Sequence, residues 1–125
     1  MPQIKKCTFL LMLLSVVSYI AIAQRNSNPY KVYIKEEGLK SISKEEFLKL
    51  DSITVEPKNY YYFTFTIIVA GGGKPIQYVM TKGTKIDSKV KEWVRERDSC
   101  TISLDEIKVY NKGYWVIPPI VFPVK

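Results

Sequence analysis

The stretch Asn59 to Ala70 constrains the fold more than any other, because it alternates in a way that only a strand can use. Tyr61, Phe63, Phe65, Ile67 and Val69 share one parity, and Tyr60, Tyr62, Thr64, Thr66 and Ile68 share the other. Successive side chains of a strand point to opposite faces. The first set, apolar apart from one phenol, is therefore predicted to face a core, and the second to face water or a partner. Gly71-Gly72-Gly73-Lys74 follows directly. Glycine supplies the positive φ that a tight hairpin turn requires, so Pro75 to Thr81 is predicted to return as the paired strand.

The flanking segments read as further short elements. Tyr30 to Lys35 alternates, with Val32 and Ile34 on one face and Tyr33 and Lys35 on the other, as in a half-buried strand. Gly38 and Ser41 break it, and Ser43-Lys44-Glu45-Glu46 is a capping-box pattern opening a short helix to about Leu50, with Phe47 and Leu50 inward. A second helix follows Lys82-Gly83-Thr84, with Thr84 or Asp87 as N-cap. Ile86, Val90, Trp93 and Val94 lie on one face of it, and Lys89, Lys91, Glu92, Arg95 and Glu96 on the opposite side. Asp98-Ser99 stops it. Cys100, Ile102 and Leu104 then alternate inward, while Ile107 and Val109 carry the opposite parity, so a bulge near Asp105-Glu106 is predicted to restore one inward face. Asn111-Lys112-Gly113 turns the chain into a last strand, Trp115 to Phe122. Its prolines, Pro118 and Pro119 followed by Pro123, confine it to a sheet edge. Strands with close-spaced turns and two short helices predict a mainly β, antiparallel sandwich.

The N-terminus assigns a compartment. Lys5 and Lys6 precede an apolar stretch from Phe9 to Ile22, and Ala21-Ile22-Ala23 supplies a small-x-small cleavage pattern. Residues 1–23 are thus predicted to be a cleavable signal peptide, residues 24–29 a polar leader, and residues 30–125 a single domain in the periplasm or outside the cell. The alternative, an uncleaved anchor, requires roughly 20 apolar residues to span a bilayer, and this run is shorter. Cys100 is then the sole cysteine of the mature chain, so an internal disulfide is excluded. Its strand parity predicts a small buried apolar residue, with an intermolecular disulfide or a reactive thiol as the alternatives.

The chemistry is sparse. The chain has no histidine, which removes the usual base for a serine or cysteine nucleophile and the usual zinc or copper ligand. No catalytic residue, cofactor-binding residue or metal ligand is expected. All the candidate acids but Asp105 sit in predicted turns, caps and charged helix faces, where solvation accounts for them. Gly71-Gly72-Gly73-Lys74 is followed by Pro75 and a strand rather than by Ser or Thr and a helix, so it is not a phosphate loop. The formal charge is +7, of which Lys5 and Lys6 supply two units, and the remaining lysines are scattered singly. Nucleic-acid binding needs that charge on one groove or helix face, so no nucleic-acid partner is expected. The tyrosines remain. Tyr60, Tyr62 and Tyr78 are predicted to share a sheet face with Tyr33 and Tyr114 near it, forming a surface for a protein partner or a sugar. The plainer reading is that tyrosine suits a half-exposed strand.

The ordered series Ser41-Ile42-Ser43-Lys44-Glu45-Glu46-Phe47-Leu48, the aromatic strand with its Gly-rich turn, Gly83-Thr84 and a helix, Ile102 to Val109, and the closing Trp115-Val116-Ile117-Pro118-Pro119-Ile120-Val121-Phe122 resembles the C-terminal domain of the gliding-motility GldM/PorM family of the Bacteroidetes type IX secretion system. The resemblance covers about residues 30–125. It implies an immunoglobulin-like β-sandwich used as a periplasmic structural and coupling module, without catalytic residues. The family builds a multi-domain shaft on a transmembrane anchor. One domain behind a cleavable signal implies instead a free-standing relative that docks on envelope proteins, including gliding or type IX secretion components, or self-associates, with no membrane span after cleavage. The alternative function is a secreted small-ligand or glycan-binding domain using the tyrosine-rich face.

Overall fold

The computed structural model describes residues 28–125. The predicted signal peptide over 1–23 and the leader as far as residue 27 lie outside the described residues. The chain runs β1 (Lys31–Tyr33), α1 (Lys44–Leu48), β2 (Thr54–Glu56), β3 (Tyr62–Gly71), β4 (Lys74–Lys82), α2 (Ser88–Arg95), β5 (Cys100–Tyr110), β6 (Tyr114–Ile117) and β7 (Ile120–Val124). It is mainly β, with two antiparallel sheets and two short helices. β1 and β2 form a two-stranded ribbon in the register Val32 to Val55. In the larger sheet the order is β4-β3-β5, with β6 and β7 end to end along the far side of β5.

The aromatic strand and its hairpin follow the alternation from which they were predicted. Phe63, Phe65, Ile67 and Val69 are buried on one face of β3, and Gly72-Gly73 turns the chain into β4 with positive φ at both positions (70° and 73°). The strand starts at Tyr62, however, so Tyr60 and Tyr61 escape its parity. Tyr60 packs half-buried against Tyr30 and Phe63, whereas Tyr61, expected inward, is 80% exposed. Tyr61 contributes its N–H to the Tyr110 carbonyl at 2.9 Å but leaves its ring in water.

The parity break in β5 is met by a bulge. Against β3 the pairing passes from Thr64–Lys108 to Thr66–Asp105, which puts one extra residue in β5, and Glu106 takes a positive φ of 48°. Cys100, Ile102, Leu104, Ile107 and Val109 therefore all reach the core. Opposite the bulge, Pro118 and Pro119 separate β6 from β7, since neither proline can donate to a ladder. This row lies at the sheet edge as predicted. Its end is partly covered by Ile42, which bonds the Pro123 carbonyl and the Lys125 N–H.

One hydrophobic core joins the inner face of the large sheet to the ribbon and helices. Ser43 caps α1 by accepting from the Glu46 N–H at 3.1 Å, while the Glu46 carboxylate pairs with Lys35 instead of reaching back to the cap. Phe47 is the buried anchor of that turn. Asp87, not Thr84, caps α2 through the Lys89 N–H at 2.9 Å, and Val90 and Val94 fill its inner side. Lys44 donates to the Arg95 and Arg97 carbonyls, each at 2.8 Å, tying α1 to the end of α2. β2 was not foreseen: Ile53 and Val55 alternate over too few residues to signal a strand.

Candidate functional site: the open sheet face

Among the described residues all the layers sit on one side of the large sheet, and none covers the other side. Strand register identifies what it displays. Met80 lies opposite Thr66, Tyr78 opposite Ile68, and Tyr62 opposite Tyr110; Tyr114 in turn pairs with Tyr110, Val116 with Lys108, and Val121 with Ser103. Of the nine large apolar side chains left exposed among the described residues, seven fall on this face: Tyr62, Ile76, Tyr78, Met80, Tyr114, Val116 and Val121. Such concentration contrasts with the scattered single residues that are the norm on a protein surface.

The face has two parts. At one end Tyr62, Tyr110 and Tyr114 run across three strands with ring centroids 5.4 and 5.8 Å apart, and the Lys108 ammonium lies 5.4 Å from the Tyr114 ring. A shallow groove of about 250 Å³ beside them is floored by Thr64 and Thr66 and walled by Met80, Glu106 and Lys108. Thr66 is buried beneath the Glu106 carboxylate, which accepts its hydroxyl at 3.4 Å. Towards the β3–β4 turn the face becomes aliphatic, with Ile68 between the exposed Ile76, Tyr78 and Met80. Among the described residues β4 is also an edge, paired on one side only.

The five tyrosines predicted as one surface are therefore not brought together. Tyr62, Tyr78 and Tyr114 lie on the open face. Tyr60 turns into the core, and Tyr33 belongs to the ribbon, where its hydroxyl donates to Glu56 at 2.9 Å. That carboxylate raises the Tyr33 phenol above its ordinary pKa by holding the proton. Tyr110 was overlooked, although its two-residue offset from Lys108 past the bulge gives it the outward parity. Ile76 and Met80 join Tyr78 on this face because the β3–β4 register gives them its outward parity.

A second concavity, about 660 Å³, opens at the β5–β6 turn. Tyr114 and Trp115 form one wall, Pro29 and Pro57 another, and Asn59, Asn111 and Lys112 supply polar groups. Tyr30 underlies it, its hydroxyl accepting from Asn111 Nδ2 at 2.8 Å. Cys100 is buried, and that burial pushes its thiol above the ordinary range against the smaller opposing effect of Arg97 and Lys44. Among the described residues no group of His, Cys, Asp or Glu is placed to hold a metal ion, and no helix is long and apolar enough to cross a membrane.

The fold and these surfaces define a small mainly β domain with one solvent-facing apolar sheet face. Comparisons with protein-family models, curated proteins and solved structures find no match to this chain.

Proposed function

We propose that the protein is a non-enzymatic, secreted or periplasmic interaction module that docks on envelope proteins through the open face of its larger sheet. The observation that carries this reading is the gathering of seven exposed apolar side chains on that one face. An aromatic end and an aliphatic end offer rigid area at low entropic cost, and the free edge of β4 beside them accepts an added strand. The resemblance of residues 30–125 to the GldM/PorM C-terminal domain makes gliding or type IX secretion components the first partners to test, with self-association through the same face as a second product. The experiment is in-cell crosslinking and pull-down of the tagged exported chain, with mass spectrometry of what returns. Recovery of gliding or type IX components supports the envelope role; recovery of no protein and a monomer at every concentration refutes docking.

A further inference from the structure

We propose that the cleft at the β5–β6 turn is a binding site for an acidic saccharide, with the Trp115 indole as platform for a sugar ring and Lys112 as partner of its carboxylate. This site borders the open face, with which it shares Tyr114, but it does not rest on the docking reading. Trp115 carries the first part of the argument. Its register partner Val109 is fully buried, and Ile117, two residues on with the same parity, is buried as well. Trp115 nevertheless stays 40% exposed. Its core-facing parity thus leads into the cleft instead of into packing. Leaving an indole half in water forgoes much of its burial free energy. The C–H faces of a pyranose offer an apolar surface of matching size and flatness.

The polar groups around the indole suit hydroxyls and an anion. Side-chain amides carry two donors and an acceptor in one plane, which matches adjacent sugar hydroxyls. Asn111 spends a donor on Tyr30, and among the described residues the Asn111 oxygen and the whole Asn59 amide make no side-chain bond. Lys112 sits at the turn apex with φ 52°, next to Gly113 with φ 112°. The turn's own bond runs from the Asn111 N–H to the Gly113 carbonyl at 3.0 Å. Among the described residues the Lys112 and Gly113 N–H groups are left without a backbone acceptor. No carboxylate lines the cleft, and without Lys5 and Lys6 the exported chain still carries a formal charge of about +5 (7 − 2), so the local field and the net charge both favour an anion. The volume of about 660 Å³ lies within the range of small-molecule sites.

Calorimetric titration of the exported protein with trigalacturonic acid tests the site, with maltotriose, inorganic phosphate and a decaproline peptide as comparison probes. The expected result is saturable binding of the acidic trisaccharide, weaker binding of the neutral one, and none of phosphate or decaproline. Trp115→Ala is expected to weaken it about ten-fold. Lys112→Gln, a change on an exposed turn that leaves folding intact, is expected to weaken it about two- to five-fold and to flatten its salt dependence. No saturable binding overturns the proposal, as does binding that both variants leave unchanged. Equal affinity for maltotriose overturns the acidic class, and preference for decaproline makes the cleft a peptide groove.

Discussion

Arg97 is 1% exposed, and its guanidinium meets carbonyl and amide oxygens but no carboxylate among the described residues. Nη1 donates to the Val69 and Gly71 carbonyls at 3.2 and 3.1 Å, and Nη2 to the Pro75 carbonyl and Gln77 Oε1 at 2.7 and 3.0 Å. One planar fork therefore ties both strands of the β3–β4 hairpin to the end of α2. A buried cation is costly unless bonded, and here four acceptors on Nη1 and Nη2 take the place of a counter-ion, while the buried Nε has no partner among the described residues. Arg97→Lys keeps the charge but loses the fork, so it is expected to cost about 2 kcal/mol in denaturant unfolding with an unchanged m-value. Gly72 completes the same clamp. A Cβ there would meet the Arg97 Cβ and the Ser99 carbonyl at 2.9 Å, at φ 70°. Gly72→Ala is accordingly expected to destabilise by more than about 1 kcal/mol, read as a fall in Tm. Cys100 makes the pH prediction. Its thiol pKa is raised in the fold, so its contribution is fully present below the unfolded-state thiol pKa and is lost as pH rises through the folded one. Stability is expected to fall on the alkaline side, and a Cys100→Ser comparison at successive pH values isolates that part of the fall. None of this clamp was legible in the sequence, because Arg97 lies in the alternating run Arg95-Glu96-Arg97-Asp98, which reads as solvated charge. Only the fold's close approach of α2 to the Gly-rich turn gives it four acceptors.

At the scale of elements, the readable features were those in which one local rule decides. The β5 bulge was legible because Leu104 and Ile107 cannot both face inward on a regular strand, and the structure resolves the conflict at Glu106 with its positive φ. A β-branched residue at such a φ is a steric outlier. Glu106→Val is therefore expected to lower stability by about 1–2 kcal/mol, and thermal unfolding measures it. The α2 cap was legible to within two candidates, and Asp87 is the one that accepts the Lys89 N–H. β1 and β2 were legible only by half, since a three-residue ribbon is stabilised by its neighbours' packing and not by its own pattern. The tyrosine surface failed for a related reason. Alternation locates a face only inside a strand, and Tyr60 precedes β3, so its ring follows the loop into the core beside Tyr30.

For the whole molecule, the decisive asymmetry is between the two faces of the larger sheet. A sheet packed on one side ordinarily alternates apolar inward and polar outward. Here the inward residues are buried, yet the outward row of β4 reads Ile76, Tyr78, Met80, at 66%, 72% and 66% exposure. These side chains contribute little to folding, because they leave water only slightly when the chain folds. Their substitution is therefore expected to shift stability by no more than about 0.5 kcal/mol. In a docked complex the same side chains become the buried centre, where truncation of a few residues removes most of the binding free energy. The two expectations separate folding from function. Tyr78→Glu combined with Met80→Glu is expected to leave the unfolding midpoint nearly unchanged while abolishing capture of the partner and any self-association. Trp115→Ala in the cleft is expected to leave that capture intact. If the double substitution left capture undiminished, the open face would not be the docking surface, and the free edge of β4 or the cleft at the β5–β6 turn would be the place to look next.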